Sequence, residues 1–174
     1  PTLVKMAGGD SSSCGFDGTS FATVLHDPAK PHRKYVYGMH NNVPEGPAYP
    51  IRTVTDGEFR YIRNLRPGDI YIEKHLMGMK GDGGLNNPYW ATWKLESGET
   101  KTADRLVNRY MKRLPDQLYR TSTDRFELKN LAKNPEHAKI KAELSAELDR
   151  WMKAEGDPGI PLDTLEALNA ARKG

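Results

Sequence analysis

The stretch YPIRTVTDGEFRYIRNL, residues 49–65, decides the fold. Two β-rich runs flank Asp56-Gly57, and both central positions of a two-residue hairpin turn favour positive φ, which Asp and Gly adopt readily. The stretch therefore predicts an antiparallel hairpin. Alternation places Phe59, Tyr61 and Arg63 on one face of its second strand, and Arg60 and Ile62 on the other.

Upstream, Tyr35 to His40 reads as a further strand, with Tyr35, Tyr37 and Met39 on one side. Between that strand and the hairpin lies an irregular, Pro- and Gly-containing break. His40, Asn41 and Asn42 stand at its start and Arg52 just past its end. An imidazole, two amides and a guanidinium around one loop can form a substrate site. They can equally form a polar turn.

Downstream, residues 66–101 are rich in Gly, Pro and Asn, and MGMKGDGGLNNPYW (77–90) reads as a long irregular loop. Residues 102–114 are amphipathic, with Leu106, Tyr110 and Leu114 at helical spacing and Val107 and Met111 beside them. Gln117 to Arg120 returns as one more strand. Asn134-Pro135 is a good helix start. The helix that follows carries Ile140, Leu144, Leu148 and Trp151 on one stripe and stops at Gly156. A second helix covers 163–172, with Asp163 and Glu166 spaced as in a capping box. At the other end, residues 1–9 read as the end of a helix, 10–20 as a loop, 19–27 as a short helix and 28–34 as a charged linker. Strands followed by helices give an α+β layer: a small antiparallel sheet packed by a long C-terminal helix.

Composition bounds the function. Leu, Ile, Val and Phe make up about 18% of the 174 residues, a thin core supplemented by 8 Tyr, 6 Met and 3 Trp. Such a chain is expected to pack against something outside itself. The net charge is +3 with both signs interspersed, so no basic block points to nucleic acid. No apolar run reaches the ~18 residues of a membrane helix. One cysteine forms no internal disulfide. The chain starts at Pro1 without Met, so the natural N-terminus is expected upstream.

Chemistry-bearing motifs are sparse. Cys14, in SSSCGFDG, has no histidine near it in sequence to generate a thiolate. The five histidines, His26, His32, His40, His75 and His137, share no metal-ligand spacing. DGGLNN and Asp56-Gly57 lack the alternating carboxylates of a calcium loop. GMKGDGGL (78–85) lacks the Lys-Ser/Thr ending of a phosphate-binding loop. Arg52, Arg60, Arg63 and Arg66 lie on or beside the hairpin, where guanidinium forks can bind sulfate, phosphate or carboxylate. Residue chemistry alone reaches an α+β accessory domain able to bind an anion.

The order of motifs adds a family. PTLVKMAGG and GFDGTSFATVL, then RKYVYGMHNN, YPIRTVTDGEFRYIRNL, DQLYRTSTDRFELKNLAKNPEH and ELSAELDRWMKAEGDPG, resemble the closing part of sulfatases over residues 1–159. Tyr-Pro-Ile-Arg followed by a hairpin is most similar to the heparan N-sulfatase (N-sulfoglucosamine sulfohydrolase) branch. The resemblance implies that residues 1–27 are the tail of a catalytic domain and 28–174 a C-terminal subdomain with a four-stranded antiparallel sheet, in an alkaline-phosphatase-like enzyme. It implies a partner domain upstream, carrying a formylglycine made from Cys or Ser in Cys/Ser-x-Pro-x-Arg, and a calcium ion. Cys14 is followed by Gly-Phe-Asp and does not match that motif. This segment is then expected to be inactive alone, to hold no cofactor, and to supply a wall of the cleft for a sulfated saccharide through His40, Asn41 and Arg52. An exported or lysosomal location follows from the same resemblance. Two alternatives stand beside it: a non-catalytic module binding anionic glycans through Arg52, Arg60 and Arg63, and a purely structural module.

Overall fold

A computed structural model describes residues 1–78 and 87–173. The GMKGDGGL motif lies, apart from Gly78, outside the described residues. The chain divides into two compact units, 1–36 and 37–174.

The first unit holds two five-residue helices, α1 (Thr2–Met6) and α2 (Ala22–His26). Thr2 is buried, and its hydroxyl accepts from the Phe21 N–H, tying the two together. Leu3, Met6, Phe16, Phe21 and Leu25 are all exposed.

The second unit is built on the predicted sheet. Its strands are β1 (Val36–His40), β2 (Ile51–Thr55), β3 (Phe59–Asn64) and β4 (Asp116–Arg120), in the spatial order β1-β2-β3-β4. The hairpin closes at Asp56-Gly57, where Gly57 has φ +95° and the Asp56 carboxylate accepts from the N–H of Glu58 and Phe59. Val54 pairs with Tyr61, and Tyr61 with Leu118, so these three share a face and are shut from solvent.

Helix α6 (Ala138–Ala154) covers that face. A short 3-10 turn, Pro135–His137, leads into it, and the Asn134 side chain accepts from the Glu136 N–H. Leu144 and Leu148 of the predicted stripe are its buried residues. Trp151 stacks on Tyr37 of β1, ring centroids 4.9 Å apart and nearly parallel.

The opposite face carries Ile62, Gln117 and Tyr119, which meet helix α5 (Lys101–Met111), packed in turn against α4 (Pro88–Glu99). A short helix, α3 (Lys74–Met77), precedes these. Helix α4 corrects the sequence reading: Pro88 to Glu99 is helical where an irregular stretch was expected. Its apolar residues make no stripe and none is buried, so periodicity could not reveal it. In α5 the buried residue is Val107, while Leu106 stays substantially exposed and Tyr110 lines a groove. The chain ends in helix α7 (Leu165–Ala171), whose first-turn N–H of Ala167 is accepted by Thr164, not by Asp163. Asp163 is used elsewhere.

Candidate functional site

The break between β1 and β2 is a clamped loop. Asp163 is buried, and its carboxylate accepts from three backbone N–H groups: Asn42 at 2.9 Å, Val43 at 2.7 Å, and Tyr49. Asn42 is buried too. Its side-chain amide donates to the carbonyls of Pro47 at 2.7 Å and Ile72 at 2.8 Å. Gly46 fits between these groups because it has no Cβ, which would lie 2.6 Å from the Asn42 amide nitrogen. The loop therefore has a fixed shape set by its own backbone donors.

Arg52 stands inside that frame, not at its surface. It is fully buried, and its guanidinium grips Asp157 with Nε and, at 3.0 Å, with Nη2. Its Nη1 donates to the Asn41 Oδ1 at 3.0 Å and to the carbonyls of His40 and Ile51. Alternation explains this placement: Arg52 shares the α6-facing side of β2 with Val54. The Arg52 hydrogen bonds hold the Asp157 carboxyl below its ordinary value, against the opposing effect of burial. Within this chain Arg52 does not meet solvent.

His40 and Asn41 do. The His40 side chain is exposed, with its ring 6.0 Å from that of Tyr71. Asn41 is half-buried, its Oδ1 held by Arg52 and its side-chain NH2 unbonded among the described residues. The structure thus brings the three predicted residues together in two layers: His40 and Asn41 outward, Arg52 behind them. Sequence reasoning missed Asp157 and Asp163, which lie more than 100 residues from the groups they hold.

The three hairpin arginines do not form a free cationic cluster. Arg60 pairs with Glu127 at 2.6 Å, and Arg63 with Asp149 and the Ser145 hydroxyl. Cys14 is exposed, its Sγ 3.4 Å from the Asp10 carbonyl. No group of three or more His, Cys, Asp or Glu side chains among the described residues could hold a metal ion. Cys14 is followed by Gly-Phe-Asp and lacks the flanking Pro and Arg of a formylglycine motif. Among the described residues no helix is long and apolar enough to cross a membrane.

No family model matches the chain. A curated relative, an ulvan-active sulfatase of Formosa agariphila, is 30% identical over 172 residues, which cover 94% of this chain and 31% of the relative. The chain matches one segment of a sulfatase. It spans about a third of that sulfatase's length. Solved structures agree on the fold. A 2-O GAG sulfatase superposes with a TM-score of 0.54 at 23% identity, covering 90% of this chain and 24% of that one. A protein solved with its substrate D-glucosamine-2-N,6-O-disulfate superposes with a TM-score of 0.55 at 18% identity, covering 91% and 24%. The four-stranded antiparallel sheet with its helices thus has the fold of one part of these larger structures.

Proposed function

We propose that this chain works as the C-terminal subdomain of a sulfatase that hydrolyses sulfate ester or N-sulfate groups of sulfated sugars. The observation that carries the reading is the match of nearly the whole chain to a third of a sulfatase. A catalytic domain upstream supplies the reacting groups, formylglycine and calcium among them. Unit 1 leaves Leu3, Met6, Phe16, Phe21 and Leu25 exposed, which supports such a neighbour. Within the subdomain, His40 and the amide of Asn41 face the substrate, and Arg52 positions both from behind. An imidazole N–H and an amide N–H are suitable donors to sulfate oxygens or sugar hydroxyls.

The names of the relatives support a sulfated saccharide as substrate: one is an ulvan-active sulfatase, one a 2-O GAG sulfatase, and one was solved with D-glucosamine-2-N,6-O-disulfate. Within that class, the YPIR hairpin favours N-sulfoglucosamine. The test compares sulfate release by the full-length protein, its His40→Ala variant and this segment alone. Turnover by the full-length protein only, with kcat/KM falling at least tenfold in His40→Ala, is expected. Sulfate release by the segment alone overturns the reading.

A further inference from the structure

A second site lies on the other side of the sheet. A groove of about 480 Å³ opens between α5 and β3–β4, within the size range of small-molecule sites. Trp93, Leu106 and Phe126 rim it and are exposed; Arg109, Tyr110 and Arg113 form its wall.

Arg113 separates this groove from an ordinary surface dent. Its guanidinium lies over the Tyr71 ring at 4.1 Å and near Tyr110 at 5.6 Å. It is half-buried, and its Nε is buried with no hydrogen-bond partner. Arg52, Arg60, Arg63, Arg66, Arg120 and Arg150 each pair with a carboxylate, but Arg113 forms no ion pair among the described residues. A cation withdrawn from water favours an anionic partner. Stacking on a ring face leaves its in-plane N–H groups directed away from that ring, the geometry in which a guanidinium receives an oxyanion. Arg109, by contrast, is spent on the Glu127 carbonyl and stacks on Tyr119.

Tyr71, behind the groove wall, links it to the first site. Tyr71 touches His40 on one side, 6.0 Å between centroids, and Tyr110 on another, at 5.8 Å. One aromatic layer thus backs both.

We infer that this groove is a second subsite for an anionic saccharide, with Arg113 receiving a sulfate or carboxylate group and Trp93 stacking on the sugar ring. The inference rests on the sulfated-sugar reading above and extends it from one sugar to an oligosaccharide. Glu96 on the rim accepts a sugar hydroxyl.

The test measures binding of a heparin-derived hexasaccharide and its desulfated counterpart to the full-length protein, by calorimetry and tryptophan fluorescence. Arg113→Gln and Trp93→Ala are each expected to raise Kd at least tenfold for the sulfated probe, with the desulfated probe binding far more weakly. Trp93 is exposed, so its variant reads binding even where Arg113→Gln fails to fold. Unchanged Kd in Trp93→Ala together with Arg113→Lys overturns the subsite, as does equal binding of the desulfated probe. Absence of saturable binding also overturns it, and would mark the groove as covered by another part of the protein. His40→Ala keeps the two readings apart: lost turnover with hexasaccharide binding unaffected by Arg113→Gln sinks the groove alone, whereas sulfated-only binding lost in Arg113→Gln beside unaltered turnover in His40→Ala sinks only the role of His40.

Discussion

Asp157 and Arg52 stand 105 residues apart in the chain and form the most buried ion pair among the described residues, with side chains 4% and 0% exposed. Arg52 also lies directly across the ladder from Arg63. Two guanidiniums side by side on one sheet face repel, and each is balanced by its own acid, Asp157 or Asp149. The pair couples the end of α6 to the start of the loop that presents His40.

Removing one member strands the other charge. Arg52→Ala is expected to destabilise the fold by about 3–5 kcal/mol, measured by urea unfolding. Asp157 also sets a pH dependence. Its folded pKa is depressed, chiefly by the Arg52 hydrogen bonds. Its contribution is therefore fully present above the unfolded aspartate value of about 3.9 and is lost as pH falls through the folded value. Unfolding titrations of Asp157→Asn should show a shallower acid limb than wild type. Equal slopes would show that the pair is not formed.

Asp163 predicts a local effect. Asp163→Ala leaves three backbone donors without their acceptor, each worth about 1–3 kcal/mol if it stays buried. Hydrogen exchange should speed up at the amides of Asn42, Val43 and Tyr49 while the β2–β3 ladder keeps its protection. Uniform loss across the sheet would argue against a clamp confined to the loop.

Packing under α6 predicts a contrast within one residue type. Leu148 is fully buried and Leu95 is 75% exposed. Leu148→Ala should lower stability by about 2–5 kcal/mol. Leu95→Ala should stay within about 0.5 kcal/mol. Thermal or denaturant unfolding of both variants decides it.

Gly46 predicts a clash. A methyl group there meets the Asn42 amide and the Ile72 carbonyl, and both are committed to one hydrogen bond. Gly46→Ala should destabilise by about 1–3 kcal/mol. A variant as stable as wild type would mean the loop has room to spare.

The hairpin was legible because Asp56-Gly57 acts through its own φ angles, and α6 because Leu144 and Leu148 repeat at helical spacing. Both signals are local. Helix α4 was not legible from periodicity, since Tyr89, Trp93 and Leu95 face outward without a stripe. Its Asn87-Pro88 start was readable, the same chemistry as Asn134-Pro135, with Asn87 accepting from the Tyr89 N–H. At the site, sequence grouped His40, Asn41 and Arg52 around one break but could not say which point outward. That depended on the face Arg52 shares with Val54 and on acids supplied from 157 and 163. Asp163 read as a helix cap because its spacing to Glu166 imitates one. Arg113 carried no signal, since the absence of a partner is a property of three dimensions.

The Asp163 clamp has a consequence for how this loop can change. It grips main-chain amides, which every residue except proline possesses. The side chain of Glu45, exposed at the middle of the loop, takes no part in the grip. The loop's anchoring is thus written in the backbone and in one aspartate more than 100 residues away, not in the side chains at its tip.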